Sequence, residues 1–493
     1  MTPLESTEEP LRAEPLEAGE AGGRVIRGSG TRAAAHVVGV VVGVISAPLV
    51  VRHLGVEGYG RFVLVTSLLF VVTALTEGGL ANVAVVEYAT SGREERRRLV
   101  AALLGLRVAL TAVAAVLALG FGVIARYDDV VVAGIALGCV GLLFNAQWAT
   151  LNTALVAGLR LQAVAGLEIV RALSTTALFL ALVVAGASLL PFYVVAPAVA
   201  MLTWGLTAWV VRGTVPLRPR WDAPRAGALL RETALYAGAT ALGAVYFQIA
   251  LISTSLLTND RETGIYGIAF RIVDLANGVP WLLAASVFPV LAHAAANDPQ
   301  RLRYAVGRVT EAALIAGAWF GLSMVLGAQF AIDVVAGDDG QRAVTVLRIL
   351  GVGVTATFVV AAWGFVLLSR RRYVALLRSN AIAFSLAVAL SVVLIPWLGA
   401  RGAGIVTATL EVSLAVLYAA ALARDLPGLR AGAVLAPRLV VALSAALAVG
   451  TPLLLVHPVP ATVAGGVTYF GVLWALRAIP PELLDALPRR RPA

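Results

Sequence analysis

No lysine occurs anywhere in the 493 residues, so covalent chemistry that runs through a side-chain amine is excluded. The single Cys139 cannot close a disulfide within the chain, and four scattered histidines (His36, His53, His293, His457) offer no metal-ligand spacing. No bound metal, no cofactor and no catalytic residue are expected. Charge is scarce too. With 13% charged against 60% hydrophobic residues and a mean hydropathy of +0.89, no polar stretch is large enough for a second, water-exposed domain.

What is present is apolar sequence in long runs. About fourteen stretches of roughly twenty residues lie between Ala33 and Arg477, each long enough to cross a hydrocarbon core about 30 Å thick at 1.5 Å per residue. The spans are placed at 33–52, 61–85, 99–124, 130–156, 163–186, 189–211, 229–256, 264–294, 305–332, 343–368, 374–396, 402–423, 434–456 and 458–476. The expected fold class is an all-α membrane protein of about 14 transmembrane helices.

The net charge of +10 comes from arginine alone, and the arginines sit at span ends rather than on one polar face, which argues against nucleic acid as a partner. With a cytoplasmic amino terminus, about 28 of the 38 arginines fall on the cytoplasmic side, most densely at Arg93, Arg96–Arg98, between Arg212 and Arg231, and at Arg370–Arg372. Both termini are therefore expected inside. Residues 1–23 are rich in glutamate and proline without a hydrophobic core, so they read as neither signal peptide nor span but as a disordered tail.

The Pro- and Arg-rich connection from Arg212 to Arg231 divides the chain, and short echoes link its halves. Gly58-Tyr59-Gly60 returns about 207 residues later as Ile265-Tyr266-Gly267, and Ala157-Gly158-Leu159-Arg160 returns about 211 residues later at Leu368–Arg371. An even number of spans per repeat makes the halves two six-helix lobes related by a pseudo-two-fold axis along the membrane normal, with two helices appended. The expected organisation is a disordered cytoplasmic tail (1–32), an amino-terminal lobe (33–211), a cytoplasmic linker (212–228), a carboxy-terminal lobe (229–423), and two further helices with a basic tail (424–493).

The segment Leu49–Phe62, LVVRHLGVEGYGRF, resembles the first extracytoplasmic turn of the polysaccharide flippases (Wzx-like) of the multidrug/oligosaccharidyl-lipid/polysaccharide superfamily. Gly264–Ala292 is similar to that family's eighth helix, with its Tyr-x-x-Ala-aromatic-Arg opening and its Phe-Pro near the end. The resemblance implies an alternating-access transporter, not an enzyme, that flips a polyprenyl-pyrophosphate-linked oligosaccharide across the inner membrane of a prokaryote. Its partners would be the lipid-linked glycan and the bilayer, with a polysaccharide polymerase or glycosyltransferases of the same pathway as further candidates. Peptidoglycan-precursor flipping and organic-cation export by the same superfamily stay open, and a membrane glycan polymerase or ligase is a distant alternative.

A pyrophosphate head needs buried positive charge, and arginine grips phosphate in a bidentate way. Only Arg107, Arg171 and Arg271 fall well inside spans, where each costs at least about 2.5 kcal/mol unless it faces water or a partner. Arg271, with Asp274 and Asn277 on the same side of its helix, is the leading substrate contact, and Arg107 the second. An Arg271–Asp274 pair that merely neutralises both residues is the competing reading. Arg171 is explained by Glu168 one turn before it. Thr66, Thr73 and Glu77 form a polar stripe on span two, where Glu77 either couples transport to a proton or bonds a neighbouring helix. Glu411, with Thr407 and Tyr418, forms a comparable face on span twelve. Asn145, Trp148 and Asn152 share one side of span four, where asparagines more often satisfy neighbouring helices than ligands.

Overall fold

The computed structural model describes residues 18–77, 79–158, 160–425, 432 and 435–479. Among these all regular structure is helical, with no strand: α1 (Ala18–Glu77), α2 (Leu80–Thr90), α3 (Arg93–Ile124), α4 (Asp129–Ala157), α5 (Leu161–Val184), α6 (Leu189–Val211), α7 (Ala223–Leu257), α8 (Asp260–Asn297), α9 (Pro299–Ala336), α10 (Gln341–Ser369), α11 (Tyr373–Leu398), α12 (Ala400–Asp425), α13 (Leu435–Leu453) and α14 (Pro458–Ala475). Nine segments of the described residues are long and apolar enough to cross a membrane, one of them running through both α9 and α10. The protein is a multi-pass membrane protein.

Three boundaries differ from the sequence reading. The loop expected between spans one and two shrinks to a single non-helical residue, Gly55 (φ 67°, ψ 175°), a conformation open essentially to glycine. Span two is interrupted: α1 stops at Glu77, and α2 starts behind Gly79, whose φ is 80°. The tail expected to be disordered over 1–32 is helical from Ala18, because residues added to an existing helix need no new nucleus. Residues 1–17 of that tail, and 480–493 at the other terminus, lie outside the described residues.

The linker after α6 runs without helix to Asp222, whose carboxylate caps α7 by accepting from the Arg225 amide at 3.1 Å. On the way it lies against α3: the Arg220 amide donates to the Ala101 carbonyl at 2.9 Å, and Gly105 leaves room for the Arg220 carbonyl.

Helix packing repeats across that linker. In the first half α4 packs on α6, α1 on α5, α3 on α4 and α5 on α6. In the second half α10 packs on α12, α7 on α11, α9 on α10 and α11 on α12. The halves meet where α1 crosses α7 and α8. α13 and α14 pack on each other and on α9, where Leu326 fills the space left by Gly450 and Gly465 and the Tyr469 hydroxyl donates to the Ile315 carbonyl at 2.9 Å.

Candidate functional site

The seven residues singled out from the sequence fall into three separate groups. In the first, Arg271 Nη1 donates to Asp274 Oδ2 at 3.0 Å, the i, i+3 pair that helical spacing permits. The two side chains remain 38% and 37% exposed although they lie in the interior of a 38-residue helix. The pair is thus not closed over by protein on every side. The tip of Arg271 lies beside α1, where a Cβ on Gly43 would be in ordinary contact with Nη2 at 3.9 Å. Asn277, about two turns beyond Arg271, is buried with its Oδ1 unpartnered.

The second group unites residues that the sequence reading kept apart. Arg107 of α3 is 1% exposed and makes one bond, from Nη1 to the Ala146 carbonyl of α4 at 3.3 Å, while its Nε has no partner. Glu77, at the end of α1, lies within electrostatic reach of both Arg107 and Arg171. Arg171 also feels Glu168, as expected, and its guanidinium sits 5.2 Å above the ring centroid of Trp148. Around these charges Thr111 Oγ1, Asn145 Oδ1, Trp148 Nε1 and Asn152 Oδ1 are buried without partners. Each such atom costs about 1–3 kcal/mol, so their gathering on α3 and α4 is not explained by packing. The Thr73 hydroxyl donates back to the Leu69 carbonyl at 2.8 Å.

The third group lies within the second half. Glu411 is 8% exposed and accepts from the Tyr246 hydroxyl at 3.0 Å. The Tyr266 and Thr407 hydroxyls pair at 2.8 Å, and the Tyr418 hydroxyl donates to Asn380 Oδ1 at 3.3 Å. These contacts tie α7, α8, α11 and α12 together and satisfy a carboxylate that has no arginine beside it.

Residues that the sequence reading passed over close the two ends of the bundle. At the end carrying Gly55, here the aspartate end, Arg61 reaches Asp260 Oδ2 at 2.6 Å and Asp128 Oδ2 at 2.9 Å, joining α1 to the starts of α4 and α8. Beneath this clasp the backbones of α1 and α8 touch: a Cβ on Gly60 would run into the Asp260 carbonyl, one on Gly264 into the Val56 carbonyl, and one on Gly267 would lie 2.6 Å from Val63. The repeated Tyr-Gly echo thus marks the crossing of the halves. At the opposite, glutamate end, Arg225 of α7 lies between Glu87 of α2 and Glu95 of α3. Partial burial opposes its charge, but the hydrogen bonds it donates to the two glutamates outweigh that and raise its pKa, so it stays a cation.

The model of a family described as polysaccharide biosynthesis protein matches residues 25–295, more than half of the chain. The chain belongs to that family. No curated protein sequence matches at significance. Among solved structures, the lipid II flippase MurJ in an inward closed conformation superposes with a TM-score of 0.75 at 11% identity, covering 92% of this chain and 99% of that one. A multidrug resistance MATE family transporter of the MOP superfamily, inward-facing, gives 0.60 at 16% identity over 78% and 94%. A MOP superfamily transporter from Pyrococcus furiosus gives 0.50 at 14% identity over 81% and 93%. The family member described here therefore has the fold that the multidrug/oligosaccharidyl-lipid/polysaccharide superfamily uses, as its two motif segments suggested.

Proposed function

We propose that this protein is a flippase that moves a polyprenyl-pyrophosphate-linked oligosaccharide from the cytoplasmic to the outer leaflet of the inner membrane, with both termini cytoplasmic. The observation that carries this reading is Arg271: a guanidinium inside a membrane helix, paired with Asp274 yet more than a third exposed. Asp274 holds the cation while the site is empty, and a pyrophosphate can take the open side of the guanidinium. Asn277 lies further along the same helix, where its unpartnered Oδ1 suits a sugar hydroxyl rather than the phosphate. Arg107, with Glu77 beside it, supplies a second buried cation, and Glu77 and Glu411 are the carboxylates available to couple the cycle to protons.

The recurring helix contacts support two lobes, 33–211 and 229–423, that rock about the crossing of α1 with α7 and α8. The sugar would pass between them while the prenyl chain stays in lipid, each cycle opening one end and closing the other. The likeness to MurJ favours a second reading, transport of the peptidoglycan lipid precursor. Both readings place a pyrophosphate at Arg271, whereas an exporter of organic cations has no use for that charge.

Mass spectrometry of polyprenyl-linked glycans in depleted cells, with a test of which membrane face exposes them, decides among these. One lipid-linked oligosaccharide accumulating on the cytoplasmic face, with loss of its surface polymer, supports the first reading, and accumulation of the peptidoglycan precursor supports the second. An unchanged pool points to cation export. Complementation with Arg271→Ala should restore protein to the membrane but not flipping; normal flipping by that variant would remove Arg271 from the mechanism.

A further inference from the structure

The first half contains a polar face that holding a pyrophosphate does not account for. Asn145, Trp148 and Asn152 recur along one side of α4, each partly exposed, yet the Oδ1 of both asparagines and the indole Nε1 find no partner. Arg107 Nε and Thr111 Oγ1 on α3 are unpartnered behind them, although Arg107 is 1% exposed. A phosphate would use only the donors of this set and leave the asparagine oxygens facing an anion. A saccharide suits a face of both donors and acceptors, because each of its hydroxyls both donates and accepts, while an indole offers an apolar ring beside a single N–H. Arg171 already fixes that ring, 5.2 Å above one face, so the indole is oriented before any ligand arrives.

We infer that the α3–α4 face around Asn145, Trp148 and Asn152 is a carbohydrate-binding site that holds the glycan of the transported lipid, apart from the pyrophosphate contact at Arg271. Arg171 holds the indole of this site in place, and Arg107 stands behind the face. The inference rests on the flippase reading and adds to it a place where glycan structure is selected. Glycan specificity should follow substitutions on α4, whereas those on α8 should affect every pyrophosphate-linked substrate alike.

The test is photo-crosslinking in cells that make the surface polymer, using the full-length protein with benzoylphenylalanine at one position at a time. The positions are 148, 152, 278 and 116. Gly278 lies next to Asn277 with nothing within 4 Å of an added Cβ, and Val116 is 70% exposed on α3 away from the polar face. Adducts are digested and read by mass spectrometry for sugar fragment ions. Sugar-bearing adducts at 148 or 152, absent at 116 and lost when Asn145→Ala is added, are the expected result. Position 152 serves if the 148 variant does not reach the membrane. Sugar-bearing adducts at 278 with none at 148 or 152 overturn this site and leave the flippase reading standing. No sugar-bearing adduct at any position overturns both.

Discussion

The two ends of the bundle are each closed by one arginine between two carboxylates, but what lies beneath the arginine differs. At the aspartate end, Arg61 covers a crossing in which the backbones of α1 and α8 touch through Gly60 and Gly264. At the glutamate end, Arg225 covers two helices that meet through side chains, Ala226 and Leu229 of α7 near Leu99 and Leu103 of α3, and the close backbone approach beside them is made by the linker at Arg220, not by a helix crossing. Backbone contact fits in one register, whereas a joint of flexible apolar side chains can part and reform. The arginines look equivalent, yet the aspartate end is locked by shape and the glutamate end by contacts that can be exchanged.

Filling the glycine crossing should have the largest effect. Gly264→Val puts a branched side chain against the Val56 carbonyl, an overpacking cost of about 3 kcal/mol that nothing nearby can relax. In a Cys139→Ser background, a cysteine at position 58 should then react quickly with a membrane-impermeant thiol reagent, and transport should stop. Labelling as slow as with Gly264 intact would show that the crossing is not what seals this end.

Removing Arg225 ranks second. Arg225→Ala deletes the ion pairs from the exchangeable joint, a loss of about 1 kcal/mol since both glutamates are partly exposed. A cysteine at position 89 should label several-fold faster, and raising salt to about 1 M, where the Debye length is roughly 3 Å, should do part of the same without mutation. If neither change alters labelling, the apolar contacts alone hold that end.

Arg61→Ala should have the smallest effect on access, because the glycine crossing remains beneath it. Its pairs with Asp128 and Asp260 are more than a third exposed and contribute at most about 1 kcal/mol. The same cysteine at position 58 should label nearly as slowly as with Arg61 in place. Labelling as fast as with Gly264→Val would reverse the ranking and make the clasp, not the crossing, the lock.

Much of the fold was legible because membrane spans are a local property: long apolar runs and arginine-rich ends place most helices to within several residues. Local geometry also foretold the Arg271–Asp274 pair, since i, i+3 spacing is fixed by the helix itself. The clasps were not legible. Arg61 and Asp260 are 199 residues apart, Arg225 and Glu87 are 138, and Tyr246 and Glu411 are 165, and no periodicity within a helix announces partners on another. Arg61 did stand directly after the Tyr59-Gly60 echo, a signal that was available and unused. The grouping of Glu77 with Arg107 and Arg171 was hidden for the same reason, although each residue was singled out alone. The break between α1 and α2 fell where two glycines adjoin inside an apolar run, and apolarity alone does not report it.

Gly55 gives the first half an unusual hinge count. Two helical segments, one on each side of it, are joined through a single residue outside helical geometry, so their relative orientation has two soft torsions and no slack. A longer turn would let one segment tilt while the other stayed still. Here a rotation of either must appear in the other or in the φ and ψ of one glycine, which makes Gly55 the point through which motion of one segment reaches the other.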